Sequence, residues 1–229
     1  MSEFLSNIEL YYSPSARVDK DMIELWEEEY HHAVKVMRNR EGSTIHITNG
    51  RGDIFICTIN TILKNSLQAG IIEHKRFENK SSNITFCMPV LKSTDRFKFA
   101  LEKCIELGIT NFIIFESART VAKIKNINKW SKTGISAMKQ SLRAHLPVIS
   151  AVKTFRELSY PDGEKILFDQ SSEKKFTKAL MSDKKYFFIF GPEGGFTNEE
   201  IILFDSKYRL AENRLRTETA IIKFASIIS

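Results

Sequence analysis

The chain has 229 residues, 42% of them hydrophobic and 27% charged, with a formal net charge of +6. That length buries a sizeable core, and this composition excludes a disordered chain. No apolar run is long enough to span a bilayer. The opening stretch MSEFLSNIELYYSP lacks the basic start and apolar middle of a secretory leader. The three cysteines, Cys57, Cys87 and Cys104, are widely spaced and odd in number, and form neither a disulfide framework nor a zinc pattern. The five histidines show no H-E-x-x-H spacing. These features predict a reduced, cytoplasmic, metal-free protein with no membrane association. The basic excess favours nucleic acid or another polyanion, because neutralised phosphates release counterions. A merely soluble basic protein carries the same excess.

In chain order, DKDMIELWEEEYHHAVKVMRNREG (19–42) has apolar residues at helical spacing and predicts a helix ending at Gly42. STIHITNGRGDIFICTINTI (43–62) alternates apolar and polar residues on both sides of Asn49-Gly50-Arg51-Gly52, a hairpin signal. AGIIEHKRF (69–77) predicts a further strand. A small β-barrel with a helix is the expected first part, residues 1–78, and the polar ENKSSN (78–83) the linker. From there strands and helices alternate. NITFCMPVL, TNFIIFES, KILFDQ and KKYFFIF predict strands; DRFKFALEKCIELG, INKWSKTGISAMKQSLRAHL and NEEIILFDSK predict helices. YRLAENRLRTETAIIKFASIIS predicts a short strand and a final helix. This alternation implies a second domain over 79–229 with a parallel sheet covered on both faces.

Three of the chain's ten glycines stand close together in FIFGPEGGFTNEE, between a strand and a helix opened by the Thr197/Glu200 capping box. Ligands of open α/β sheets bind at the carboxyl ends of strands. Glycine there tolerates positive φ and lets the backbone touch a ligand with no Cβ in the way. The stretch is neither G-x-G-x-x-G nor a Walker loop, and Glu193 repels phosphate. A nucleoside carrying a positive charge suits it better, and a plain strand–helix turn is the competing reading.

GPEGGFTNEE followed by LRTETA (215–220) resembles the SPOUT methyltransferases, and within them the RsmE-type family that methylates N3 of a uridine in small-subunit (16S) ribosomal RNA. HHAVKVMRNREGSTIHITNGRGDIF is similar to that family's H-x-x-x-V-L-R…G-D…D-G-x-G stretch. LKSTDRFKFALEKCIELGITNFIIFESART and KQSLRAHLPVI match its middle segments in order. Ala211, Asn213 and Arg214 depart from its L-G-x-R-I-L-R motif, Lys139 from the usual Glu, Met37 from Leu and Ser43 from Asp.

The resemblance implies an N-terminal PUA-like β-barrel that binds RNA, followed by a SPOUT-type α/β domain with a deep C-terminal trefoil knot. It implies S-adenosylmethionine as cofactor and a homodimer with its site at the subunit interface. On this reading Gly191, Pro192, Glu193, Gly194 and Gly195 hold the cofactor. Leu210, Leu215, Arg216 and Thr217 form a second wall, and Phe168, Asp169 and Gln170 a third. Arg216 is the candidate cation for the developing uracil anion. Glu218 is a candidate base, with holding Arg216 or capping the last helix as the alternative. Arg38, Lys92, Arg96, Arg119 and Arg143 are the candidate RNA contacts; for each, a structural role is the competing reading. His32 suits either RNA contact or a buried structural place. Lysines 123, 125, 129 and 132 form either a phosphate-facing patch or a solvated helix face. The alternative function is a catalytically silent RNA-binding assembly factor.

Overall fold

The computed structural model describes residues 8–229 apart from 121, 125, 153 and 205. Lys125 and residues 1–7 of the opening stretch therefore lie outside the described residues. Two compact units divide the chain: Met1–Asn79 with Ile135–Leu146, and Lys80–Gly134 with Pro147–Ser229.

The first unit is built on strands β1 (Leu10–Tyr12), β2 (Met22–Trp26), β3 (Thr44–Thr48), β4 (Asp53–Ile62) and β5 (Ser66–Arg76). Their order is β1-β3-β4-β5-β2, with β1 parallel to β3 and the other pairs antiparallel. Among the described residues this mixed sheet does not close on itself, so the expected barrel is an open sheet. The hairpin at 49–52 joins β3 to β4, and Gly50 and Gly52 adopt the positive φ values of +71° and +100° that its turn demands. The helix expected over 19–42 is a strand followed by a short helix. Met22–Trp26 pairs with β5, burying Ile23 and Leu25 while Met22 and Trp26 face solvent. A period of two therefore prevails over the helical spacing at this sheet edge. Helix α1 (Glu27–His31) follows and continues as a π-helical turn, His32–Val36. Lys139, the departure from the family's Glu, donates to Glu29 Oε1 at 2.6 Å within this unit.

In the second unit, β6 (Ile84–Pro89), β7 (Asn111–Phe115), β8 (Val148–Ala151), β9 (Glu164–Phe168), β10 (Tyr186–Phe190) and β11 (Ser206–Tyr208) form one wholly parallel sheet. The order is β11-β9-β10-β6-β7-β8. Helices α2 (Thr94–Glu106), α4 (Asn198–Ile201) and α5 (Thr217–Ile228) are interspersed in sequence, and α3 (Ile127–Gln140) belongs to this unit up to Gly134 and to the first from Ile135. The near-continuous apolar runs ITFCMP and YFFIF are buried almost throughout, as a sheet covered on both faces requires. Phe224 of α5 packs on Phe188 at 4.4 Å and Phe168 at 4.6 Å, and α5 lies against α2 and β10. Among the described residues the stretch 198–207, expected as one helix, is helical over the four residues of α4 and strand from Ser206 in β11. Burial pushes the Cys57 thiol up to about 12 and those of Cys87 and Cys104 higher still, so none is a nucleophile near neutral pH.

Candidate functional site

Strands β9 and β10 run parallel with Phe168 opposite Phe190, so the loops after both open at the same edge of the sheet. Strand β11 pairs with β9 and delivers a third loop, 209–216, to that edge before α5 begins. The three loops enclose a cavity of about 850 Å³ within the second unit. Phe168, Asp169, Gln170, Gly191, Pro192, Glu193, Gly195, Leu210, Leu215, Arg216, Thr217 and Glu218 all line it.

Hydrogen bonds between the loops fix its walls. Thr217 Oγ1 donates to the Gly191 carbonyl at 2.8 Å. Gln170 Nε2 donates to the carbonyls of Ala211 and Glu212 at 3.1 and 3.3 Å. Ala211, the departure from a family glycine, thus serves through its carbonyl, and it does not line the cavity. Helix α4 is anchored by the predicted capping box, and buried Glu200 also accepts from the Ala118 amide at 2.8 Å. The amino end of α5 carries no side-chain cap, leaving its first N–H groups for another acceptor.

The three glycines do different work. Gly195 takes φ +69° in a tight turn closed by its own amide and the Pro192 carbonyl at 2.9 Å. Gly194 does not line the cavity. A Cβ on it would lie 2.9 Å from Arg119 Cβ and 3.0 Å from the Arg119 carbonyl, so its bare backbone admits the neighbouring loop. Gly191 does line the cavity, where a Cβ would meet Phe168 O and Phe196 at an ordinary 3.5 Å.

The charged groups pair differently from the expectation. Arg96 Nε lies 3.7 Å from Glu218 Oε1, and its Nη1 lies 3.7 Å from Glu193 Oε1. Glu218 therefore holds Arg96 and not Arg216, because α2 brings Arg96 to the start of α5. The second oxygen, Glu218 Oε2, is buried with no hydrogen-bond partner among the described residues. Arg216 is exposed at the cavity and makes no ion pair among the described residues. Arg119 is exposed and reaches the Gly194 carbonyl with Nη1 at 3.4 Å. Lys92 is exposed, and its backbone amide donates to Glu193 Oε2 at 3.2 Å. Arg38 and Arg143 belong to the first unit, both exposed, Arg38 at φ +58°. His32 in the first unit lies 3.6 Å from Glu9 and edge-on to Tyr11. Sequence reasoning missed Ser171, Phe196, Arg214 and Ala220 as lining residues. Phe196 directly follows Gly194-Gly195, and that adjacency is a usable signal.

Comparison with known proteins gives one consistent picture. The RNA methyltransferase domain family matches residues 78–229, and the RNA methyltransferase PUA domain family matches residues 26–72. A Rickettsia conorii protein named Ribosomal RNA small subunit methyltransferase E is 30% identical, covering 92% of this chain and 91% of its own. The Bacillus subtilis protein of the same name is also 30% identical, over 88% and 87%. A solved structure of the Neisseria gonorrhoeae protein of that name, bound to S-adenosyl methionine, superposes with a TM-score of 0.81 at 26% identity, covering 96% and 95%.

Proposed function

The chain belongs to the RNA methyltransferase family, and from that premise we propose that it methylates N3 of one uridine in small-subunit (16S) ribosomal RNA, using S-adenosylmethionine. The observation that carries this reading is the meeting of three loops around a cavity of about 850 Å³ at the carboxyl end of β9 and β10. A catalytically silent assembly factor would have no use for such a cavity.

The residues present fit the cofactor. Phe168, Leu210 and Leu215 offer apolar surface for a purine ring, and Asp169 and Glu193 offer carboxylates to a positive charge. The uncapped amino end of α5 is a place for a ligand carboxylate, and buried Glu218 Oε2 is an acceptor a ligand donor would satisfy. Bound there, S-adenosylmethionine supplies an electrophilic methyl group on a sulfonium sulfur. The protein's own task is to present N3 in line with that group and to take or share the imide proton. Arg216, which has no carboxylate partner among the described residues, stabilises the negative charge that develops on the uracil oxygens. Glu218 fixes Arg96 at the cavity wall and so acts through it.

The finer architecture belongs to the same reading. Residues 1–78 form the RNA-binding PUA-like unit, its sheet open, and 79–229 the catalytic domain, and two such chains act as a homodimer in the cytoplasm on the small ribosomal subunit or its RNA. The last segment is the threaded part of a trefoil knot. The return of the chain from the sheet edge at β11 to pack α5 against α2 and β10 supports that threading.

Calorimetry with S-adenosylmethionine, followed by transfer of a labelled methyl group to small-subunit RNA, tests the reading. One site per chain and one new stop to reverse transcription are expected, because an N3-methyl group blocks Watson–Crick pairing. Folded protein without saturable cofactor binding would overturn it.

A further inference from the structure

We propose that a second cavity of the α/β unit, about 620 Å³, binds one unstacked nucleotide of single-stranded RNA, its base on Trp130 and its phosphates at Lys92 and Lys129. The proposal rests on the RNA methyltransferase reading above, which supplies the polyanion.

The floor of this cavity is apolar and closed. Leu91, Phe97 and Ile114 are at most 2% exposed, and half-buried Trp130 lies on Phe97 with ring centroids 4.6 Å apart. The rim is basic: Lys92, Lys123 and Lys129 line it, and among the described residues no acidic one does. Lys123 is committed to Glu116 at 2.7 Å, and that contact is the main reason the Glu116 carboxyl sits below its usual range. Lys92 and Lys129 have no carboxylate partner among the described residues, and Lys129 Nζ stands 5.3 Å from the centre of the Trp130 ring. An aromatic face with ammonium groups around it is what a nucleotide offers partners to: a π-face on one side and phosphate charge at its edges.

Its position gives the site a task. The Lys92 amide donates to Glu193 of the first cavity, and the first turn of α2 supplies Arg96 to that cavity and Phe97 to this one, so the start of α2 links the two. A nucleotide held at Trp130 is therefore a neighbour in the strand of the one presented for methylation. Anchoring it steadies the strand while the target leaves its stack.

The chain has two tryptophans, so Trp26→Phe leaves Trp130 as the sole indole reporter in the full-length protein. Titration with pentauridylate is expected to quench that emission saturably. The pair Lys92→Ala and Lys129→Ala should weaken the pentanucleotide roughly tenfold and flatten the log–log salt dependence by about two charges. Trp130→Leu, which keeps apolar volume, should weaken it by a similar factor while the thermal melt verifies the fold. Unchanged emission, in protein that still binds and methylates small-subunit RNA, would overturn the second site and leave the methyltransferase reading standing. A folded chain that binds cofactor but neither RNA would sink both.

Discussion

The hydroxyl of Thr217 donates a 2.8 Å hydrogen bond to the carbonyl of Gly191, joining the first residue of α5 to the residue that follows β10. Twenty-six positions separate the two residues in sequence. The bond makes GPEGG and LRTETA a single piece of structure, because a carbonyl leaving a parallel strand needs a donor once the ladder stops. Thr217 is buried, so the bond is shielded from competing water. The walls of the cavity are thus set by the same contact that seats the last helix.

Arg96 and Glu218 should behave as one unit. Arg96→Met removes the cation that Glu218 holds, and Glu218→Gln removes the charge that holds Arg96. Each single change is expected to slow single-turnover methyl transfer about tenfold, and the double change by about the same factor, since coupled residues are not additive. Losses that multiply to about a hundredfold would mean that Glu218 acts independently of Arg96, as a base would.

Much of the fold and of the site is legible in the sequence, and the exceptions have physical causes. The long apolar runs of β6 and β10 and the Asn49–Gly52 turn are local signals, and each appears where the pattern puts it. The loop residues of the site were legible through the resemblance. Strands β1 and β8 were not: β1 has three residues, and the four of β8 are mostly exposed at a sheet edge, so neither carries an apolar period. Met22–Trp26 misled because five residues satisfy both periods, and only pairing with β5 decides between them. The partner of Glu218 was hidden for another reason. Arg96 is 122 positions away and reaches the site only because α2 and α5 pack together.

Acid should expose a second anchor, in the first unit. Burial works to raise the Asp53 carboxyl, but hydrogen bonds from Arg76, His74 and Asn49 outweigh it and hold the group near 2. Because the folded value is depressed, the stabilisation is fully present above the ordinary value near 3.8 and is lost as pH falls towards about 2. The expected loss over that window is about 2 kcal/mol. Urea midpoints at pH 5 and pH 2.5, for the natural chain and Asp53→Asn, check it. The variant should be less stable at pH 5 and should lose less on acidification; equal slopes would show that Asp53 contributes nothing.

The glycines of GPEGG give the sharpest contrast, because the structure assigns neighbours of the same loop to different tasks. Gly194→Ala drives a methyl group to 2.9 Å from Arg119 Cβ and 3.0 Å from its carbonyl, contacts that require the neighbouring loop to move. Overpacking of this kind costs about 1–3 kcal/mol, or roughly 2–4 °C of melting temperature per kcal/mol in a chain of this size. Gly191→Ala meets Phe168 O and Phe196 only at 3.5 Å, in a backbone conformation open to any residue, so the fold should melt almost normally. Its methyl group enters the cavity wall, however, and should weaken S-adenosylmethionine about tenfold, the equivalent of about 1.4 kcal/mol. A thermal melt and a calorimetric titration on both variants separate the two effects. The expected pattern is crossed: Gly194→Ala moves the melt more than the affinity, and Gly191→Ala moves the affinity more than the melt. If Gly191→Ala binds the cofactor as tightly as the natural chain, the cavity beside β10 is not where the cofactor sits.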